Sequence, residues 1–92
     1  MARLSENEIG ERLAGAAGWE RDGDAIRKQF HNDDFQASVD FVNRLTPAAE
    51  EMNHHPDLEI SWSTVTVRIT THSEGGLTES DFALASSIDA VS

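Results

Sequence analysis

Apolar residues recur every three or four positions in three stretches of the chain, a pattern that predicts helices with one buried face. At the start of the first stretch, Ser5 and Glu8 have the spacing of a capping box. Leu4 and Ile9 flank this pair where a hydrophobic staple would form. We therefore expect a short helix that begins after Ser5 and stops at Gly18, because glycine commonly ends helices.

The second helical stretch is the longest, and Asn32 or Asp33 is expected to cap its start. Pro47 interrupts it, because a proline inside a helix lacks the N–H that the helix needs. Either the helix kinks there, or Thr46 caps a second segment. Both arrangements carry the helix to about Asn53. The spacing turns four apolar residues toward the sheet and leaves one on a flank: Phe35, Val39, Val42 and Leu45, with Phe41 on the flank.

The third helical stretch closes the chain. Thr78 and Asp81 form another capping-box pattern, and Leu77 and Phe82 are spaced for its staple. We expect the helix that follows to bury one apolar side, made of Leu84, Ala85, Ile88 and Val91.

Two other segments carry the signals of β-hairpins. Asp22-Gly23 favours a two-residue hairpin turn, which predicts strands over about residues 18–21 and 24–30. Further on, apolar and polar residues alternate as in half-buried strands. The apolar positions of this second hairpin are Leu58, Ile60 and Trp62 in one strand and Val65, Val67 and Ile69 in the next.

The order helix, hairpin, helix, hairpin, helix predicts an α+β fold of two layers. A four-stranded antiparallel sheet should be covered on one face by helices, with an N-terminal helix followed by ββαββα. A chain of 92 residues is long enough for a single core, so we expect one domain over residues 1–92.

Composition and charge exclude several classes of function. No apolar run approaches the roughly 18–20 residues that a membrane-spanning helix needs, and no basic-then-apolar leader pattern is present, so a cytoplasmic protein without a membrane partner is expected. Without cysteine there is no disulfide, thiolate metal site or thiol nucleophile. The net charge of −10 disfavours direct binding to nucleic acid, because it repels phosphate.

Three of the four histidines stand where predicted elements end. His54 and His55 follow the long helix, and His72 ends the last strand. The two short strands between them should return His72 to the side of the pair. Imidazoles can both donate and accept a proton near neutral pH, so such a cluster suits acid–base chemistry. The fourth histidine, His31, is expected in an exposed connection.

Simpler interpretations compete with this one. His54 or His55 could only stabilise the helix C-terminus, and Glu50 could form an ordinary surface pair with His54 one helical turn later. A zinc site made of Glu50, His54, His55 and His72 is disfavoured, because adjacent helical side chains diverge by about 100°. No metal is therefore expected.

The segment from residue 50 to residue 81 resembles the pterin-4a-carbinolamine dehydratase family, also known as the dimerisation cofactor of a hepatocyte nuclear factor. The matching positions are Glu50, Asn53, His54-His55-Pro56, Trp62, Thr71-His72, Gly75-Gly76-Leu77 and Asp81. The resemblance implies an α+β fold and dehydration of 4a-hydroxytetrahydropterin to quinonoid dihydropterin, without metal or redox cofactor. It also implies a homodimer or homotetramer and a link to an aromatic amino-acid hydroxylase.

The resemblance further implies roles for individual residues. His54, His55 and His72 would form the acid–base set, with His55 and His72 donating to the leaving hydroxyl and His54 serving N5 of the pterin. Five other residues would bind the substrate or hold the site: Glu50 by orienting His54 or the polar edge of the pterin, Thr71 through its backbone, Asn53 and Pro56 beside the histidines, and Asp81 by holding the loop or His72. Trp62 is expected to pack rather than to stack on substrate.

Two alternatives to an enzyme remain open. A non-enzymatic dimerisation, assembly or coactivator factor could use the same fold, since fold does not fix function. The complete set of three histidines favours the enzyme over such a factor. The other alternative is a zinc-binding regulatory module.

Overall fold

The computed structural model describes residues 2–92 and contains three α-helices and four strands. The helices are α1 (Glu6–Ala14), α2 (Phe35–Met52) and α3 (Glu79–Val91), and a short 3-10 helix spans His72–Glu74. The strands are β1 (Glu20–Asp22), β2 (Ala25–His31), β3 (Asp57–Ser61) and β4 (Thr64–Ile69). They form one antiparallel sheet in the order β1-β2-β4-β3, with helices packed on one side, so the predicted α+β architecture is confirmed.

The core lies between the inner face of the sheet and the helices. β2 pairs with β4 so that Ile26 lies opposite Ile69 and Phe30 lies opposite Val65. These residues are buried, as is Val67 between them on β4. The sequence prediction for the inner face of β4 is therefore confirmed.

Both predicted capping boxes are present, and they start α1 and α3. The Ser5 side chain accepts from Glu8 N–H, and Glu8 Oε1 accepts from Ser5 N–H at 2.8 Å. Thr78 and Asp81 make the same reciprocal pair. The predicted end of α1 at Gly18 is wrong, because the helix stops at Ala14.

The start of α2 differs from the prediction by one or two residues. Asp34, not Asn32 or Asp33, caps the helix, and its side chain accepts from Ala37 N–H at 2.8 Å. Pro47 lies inside one continuous helix. A second segment capped by Thr46 does not form, because the Thr46 hydroxyl donates instead to the Val42 carbonyl, at 2.7 Å.

The buried face of α2 is also rotated from the predicted one. Phe41, predicted on a flank, is fully buried and packs on Phe30 at 4.7 Å between ring centroids. Phe35, predicted to face the sheet, is 54% exposed. The fully or nearly fully buried positions follow the helical spacing of a single stripe, Ser38, Phe41, Leu45 and Ala49. Val39 and Val42 lie half-buried beside that stripe.

Both hairpins form, each with a two-residue turn. Asp22 pairs with Ala25, so the first turn is Gly23-Asp24, one residue later than predicted. The second turn is Trp62-Ser63. Trp62 has a positive φ of 53° and is 72% exposed, so the expectation that it packs is wrong.

The outermost strand β3 leaves apolar side chains uncovered. Leu58 and Ile60 pair with Val67 and Val65, which places them on the inner face of the sheet. Each is nevertheless 38% exposed, because β3 lies at the edge beyond the helices, so the predicted half-buried strand is more exposed than expected. Within residues 2–92, no helix has the length and apolar character needed to cross a membrane.

Candidate active site

The site is built where the end of α2 meets the start of α3. Asn53 ends α2 in the left-handed conformation, with φ of 48°, and its N–H donates to the Glu50 carbonyl at 3.1 Å. This cap turns the chain sharply, so that His54 and His55 no longer follow the path of the helix. Pro56 follows, and β3 begins at the next residue.

His54 is directed at a buried carboxylate. Its Nε2 atom lies 2.7 Å from Oδ1 of Asp81, and its side chain is 14% exposed while that of Asp81 is fully buried. A charged side chain inside a protein needs several hydrogen-bond partners. Asp81 therefore depends on the groups around it.

Two threonines supply those partners. Thr71 Oγ1 donates to Asp81 Oδ2 at 2.7 Å, and the Thr78 N–H donates to the same oxygen at 2.8 Å. The hydroxyls of Thr71 and Thr78 lie 2.9 Å apart. One carboxylate thus joins the segment after β4, the start of α3 and the end of α2.

His55 makes a separate and more exposed pair. Its Nε2 lies 2.5 Å from Oε2 of Glu50, and the two side chains are 56% and 68% exposed. Glu50 therefore contacts His55 and not His54, which differs from the expected contact. The side chains of the adjacent residues His54 and His55 thus contact two different carboxylates, the buried one of Asp81 and the exposed one of Glu50.

His72 lies in the loop that carries Thr71. It starts the 3-10 helix rather than ending β4, and it is exposed. Thr71 and Gly76 form an isolated β-bridge that closes this loop, and Gly75 has a φ of 70° that suits glycine. His72 directly follows Thr71, whose hydroxyl donates to Asp81, and Asp81 in turn contacts His54.

The N-terminal segment packs against the same loop. Leu4 N–H donates to the Leu77 carbonyl at 2.8 Å, and the Arg3 guanidinium donates to the Gly75 carbonyl at 3.4 Å. A Cβ atom on Gly76 would lie 2.7 Å from the Arg3 side chain. The N-terminal segment therefore holds this loop through contacts separate from the Thr71–Asp81 hydrogen bond.

Of the residues singled out from the sequence, the structure joins His54, Thr71 and Asp81 by hydrogen bonds and pairs His55 with Glu50. Asn53 and Pro56 form the connection that holds the two histidines. His31 lies away from these groups, with Nδ1 at 3.2 Å from the Thr64 hydroxyl. Within the described residues, no group of three histidine or acidic side chains is arranged to hold a metal ion.

Sequence reasoning missed the contribution of Thr78 to the site. Its pattern with Asp81 indicated a helix cap, which is confirmed. The same threonine also contacts Thr71. The Thr-x-x-Asp pattern was the available signal. That pattern alone does not show that the aspartate is fully buried.

Comparison with protein families gives one match that spans the described chain. The family described as pterin 4 alpha carbinolamine dehydratase matches residues 2–91. A relative from Mycobacteroides abscessus is 47% identical over 89 residues, covering 97% of this chain and 95% of its own length. A relative from Sulfolobus acidocaldarius is 44% identical over 89 residues, covering 97% and 98%. Both relatives have a provisional name, pterin-4-alpha-carbinolamine dehydratase.

Two solved structures are similar. A transcriptional coactivator/pterin dehydratase from Brucella melitensis superposes with a TM-score of 0.92 at 34% identity, covering 97% of each chain. A pterin dehydratase-like protein, identified as a RuBisCO assembly factor in the alpha-carboxysome, has a TM-score of 0.65 at 20% identity, covering 79% of this chain and 84% of its own. The second likeness shows the fold alone.

Proposed function

The chain belongs to the pterin-4a-carbinolamine dehydratase family, and on that premise we propose that it is an active dehydratase. It would eliminate water from a 4a-hydroxytetrahydropterin to give the quinonoid dihydropterin. The proposed site comprises the acid–base set His54, His55 and His72 with Glu50, Asn53, Pro56, Thr71 and Asp81 around the substrate. No metal or redox cofactor takes part in this scheme.

The reaction moves two protons and breaks two bonds, C4a–O and N5–H. The C4a–O bond breaks and the hydroxyl leaves as water after it receives a proton. The proton on N5 is lost, and an electron pair of N5 forms the C4a=N5 double bond. One protein group must therefore donate a proton and another must accept one. Proton exchange with solvent then returns both groups to their starting protonation states.

The assignment of these tasks follows from the surroundings of each imidazole. His54 is oriented by a buried carboxylate, the arrangement of a general-base histidine, so it is the acceptor for the N5 proton. His55 and His72 are exposed and can exchange protons with water, so they are the donors to the leaving hydroxyl. This assignment agrees with the roles that the family resemblance implies.

The observation that carries the proposal is the hydrogen bond between His54 and the buried side chain of Asp81. A histidine that only stabilised the helix C-terminus would contact helix carbonyls. The His54 side chain instead reaches across to α3, 27 residues along the chain. An orienting carboxylate behind an imidazole is the arrangement that general-base histidines use.

The test is dehydration of freshly generated 4a-hydroxytetrahydropterin by single variants. His54→Ala should lower turnover about 10²–10⁴-fold, the usual contribution of a positioned acid or base. His31→Ala is the matched control, because His31 is an imidazole at a distance from the site. Equal activity of the two variants would remove His54 from the mechanism.

A second candidate function, homo-oligomerisation or assembly, is favoured by the apolar edge, which we define as Leu58 and Ile60 on β3. These side chains are exposed on an outermost strand whose outer backbone edge has no partner strand in residues 2–92. The occupant proposed is a second copy of the chain. Its own β3 can pair antiparallel across a two-fold axis and place the two apolar edges together.

Apolar contact also suits a chain of this charge. A net charge of −10 opposes association through acidic surfaces, whereas leucine and isoleucine side chains carry no such cost. Dehydratase activity and association are compatible, so the homodimer or homotetramer is part of the proposal. A cytoplasmic location and a functional link to an aromatic amino-acid hydroxylase belong to it as well.

A further inference from the structure

Thr78, Thr71 and Asp81 form a continuous chain of hydrogen bonds that ends at His54. Thr78 and Asp81 are fully buried. Nothing in the proposed reaction requires the Thr78 hydroxyl to touch the pterin. Its position at the far end of the chain indicates a role exerted through Asp81 and His54.

The direction of every hydrogen bond in this chain can be assigned. Thr71 has one hydroxyl proton, and it donates that proton to Asp81 Oδ2. The Thr78 hydroxyl must therefore be the donor in the contact between the two threonines. Because the Thr78 N–H also donates to Asp81 Oδ2, that oxygen has two donors and Oδ1 is left for His54.

The Thr71 hydroxyl and the Thr78 N–H both donate to Oδ2 of Asp81, so two donors converge on one carboxylate oxygen. An ionised carboxylate can only accept, so the His54 nitrogen that faces it must carry a proton. That nitrogen is Nε2. When the ring is neutral, its other nitrogen, Nδ1, then holds the lone pair.

We infer that the Thr78–Thr71–Asp81 chain fixes His54 as the Nε2–H tautomer, so that Nδ1 is the atom that accepts the substrate proton. The second half of this inference rests on the proposed dehydratase function. The first half, the tautomer, does not. Thr78, Thr71 and Asp81 act here as positioning residues, since they work through His54.

The Nδ1 atom is available for this task. It makes no hydrogen bond to residues 2–92. The described side chains contain no buried nitrogen or oxygen that lacks a partner, so Nδ1 is reached by solvent. The ring therefore presents its free nitrogen outward while Nε2 is held inside.

The neighbouring His55–Glu50 pair has no comparable set of buried partners. Glu50 is 68% exposed and His55 is 56% exposed, so water competes for every position around that contact. The two adjacent histidines thus differ in how firmly their tautomers are set, and the difference comes from burial.

The same bond directions define what Asp81→Asn should do. The amide oxygen of the new side chain must take the Oδ2 position, because two donors point there. Its NH2 group must then face His54 Nε2 and donate to it. The neutral ring would have to place its proton on Nδ1 instead, which removes the acceptor that the reaction needs.

The experiment is 15N NMR of the histidine rings in the full chain labelled with 15N-histidine, at a pH where the ring signals no longer change. Nitrogen chemical shifts distinguish the protonated ring nitrogen from the unprotonated one, and His54→Gln assigns the His54 signals. We expect Nε2–H for wild-type His54 and Nδ1–H in Asp81→Asn. Glu50→Gln is the matched control, because it alters the other histidine–carboxylate pair and should leave the His54 tautomer unchanged.

Wild-type protein with Nδ1–H at His54 would overturn the inference, and this reading needs no variant to fold. Retention of Nε2–H at His54 in a folded Asp81→Asn variant would overturn the assigned hydrogen-bond directions. In dehydratase assays, Asp81→Asn should lose about 10²–10⁴-fold, and adding His54→Ala should cause little further loss. Nε2–H in a wild-type protein that lacks dehydratase activity would refute the proposed function and leave the tautomer assignment standing.

Discussion

The Nε2 atom of His54 lies 2.7 Å from the fully buried carboxylate of Asp81, and this contact joins the end of α2 to the first turn of α3. Asp81 is also the third residue of α3, where it completes the capping box with Thr78. One carboxylate therefore caps a helix and orients an imidazole. The ring's position is tied to the packing of the helices, which is the kind of rigid support that a proton-transfer group requires.

The core face of α2 gives a prediction about stability. Phe41 is fully buried whereas Phe35 is 54% exposed, although both are phenylalanines of the same helix. Phe41→Ala should lower the free energy of unfolding by about 3–5 kcal/mol. Phe35→Ala is the control and should lower it by about 1 kcal/mol or less. Urea denaturation of the two variants measures the difference, and equal losses would mean that the buried face of α2 has been misassigned.

The β3–β4 turn holds a strained residue. Trp62 has a φ of 53°, a conformation that costs a residue with a side chain about 1–2 kcal/mol. Trp62→Gly should remove that cost, and the lost side chain is 72% exposed, so we expect a higher melting temperature. Ser63→Gly, at the other turn position, has no positive φ to relieve and should not stabilise. A lower melting temperature for Trp62→Gly would indicate that the tryptophan makes stabilising contacts.

The apolar edge gives a prediction about association. Ile60→Lys places a charge among side chains that a second copy would cover, and we expect it to shift the chain to monomer in light scattering after size-exclusion chromatography. Gln29→Lys is the control, since it makes the same change in charge at an exposed position of the inner strand β2. A wild-type chain that is already monomeric at all concentrations, or an Ile60→Lys variant with unchanged mass, would contradict pairing through this edge.

The cap of α1 should make its stability depend on pH. The Ser5 N–H donates to the Glu8 carboxylate and, with the Ser5 side chain, lowers the pKa of Glu8. A folded-state pKa below the unfolded one contributes stability at neutral pH, and that contribution is lost as the pH falls through the folded pKa. We therefore expect the amide protons of α1 to lose protection from exchange in acid.

Glu8→Gln provides the control for that titration. Its amide keeps an oxygen acceptor for the Ser5 N–H but has no acidic proton to gain. Protection of α1 in this variant should depend less on acid than in the wild type. If wild type and variant lose protection in parallel, the cap carboxylate does not set the acid stability of α1.

Local patterns predicted much of the fold. The boxes at Ser5 and Thr78 are complete within four residues, so their geometry could be inferred from the sequence and is confirmed. The orientation of α2 could not. The sequence offers Phe35 and Phe41 with similar hydrophobicity, and only the position of the neighbouring sheet and α3 decides which is buried.

The exposure of β3 was unpredictable for a related reason. Alternation of Leu58 and Ile60 with polar residues correctly indicated a strand. Whether that strand is central or outermost depends on the pairing of β2 with β4, a long-range arrangement that alternation does not encode. The apolar edge is a consequence of that topology.

The site shows the same division. The histidine pair and Asp81 could be singled out as residues, but their partners could not. Glu50 was expected beside His54 one turn later, whereas the left-handed cap at Asn53 redirects the chain and brings His55 to Glu50. A single backbone conformation thus decides which imidazole meets which carboxylate.

The most direct test of the central claim is the rate at which the purified wild-type chain dehydrates freshly generated 4a-hydroxytetrahydropterin, followed by ultraviolet absorbance against the uncatalysed rate. We expect a clear acceleration that rises in proportion to protein concentration and is lost in His54→Ala but kept in His31→Ala. A folded wild-type protein that leaves the uncatalysed rate unchanged would contradict the dehydratase account and would leave association through the apolar edge as the function to pursue.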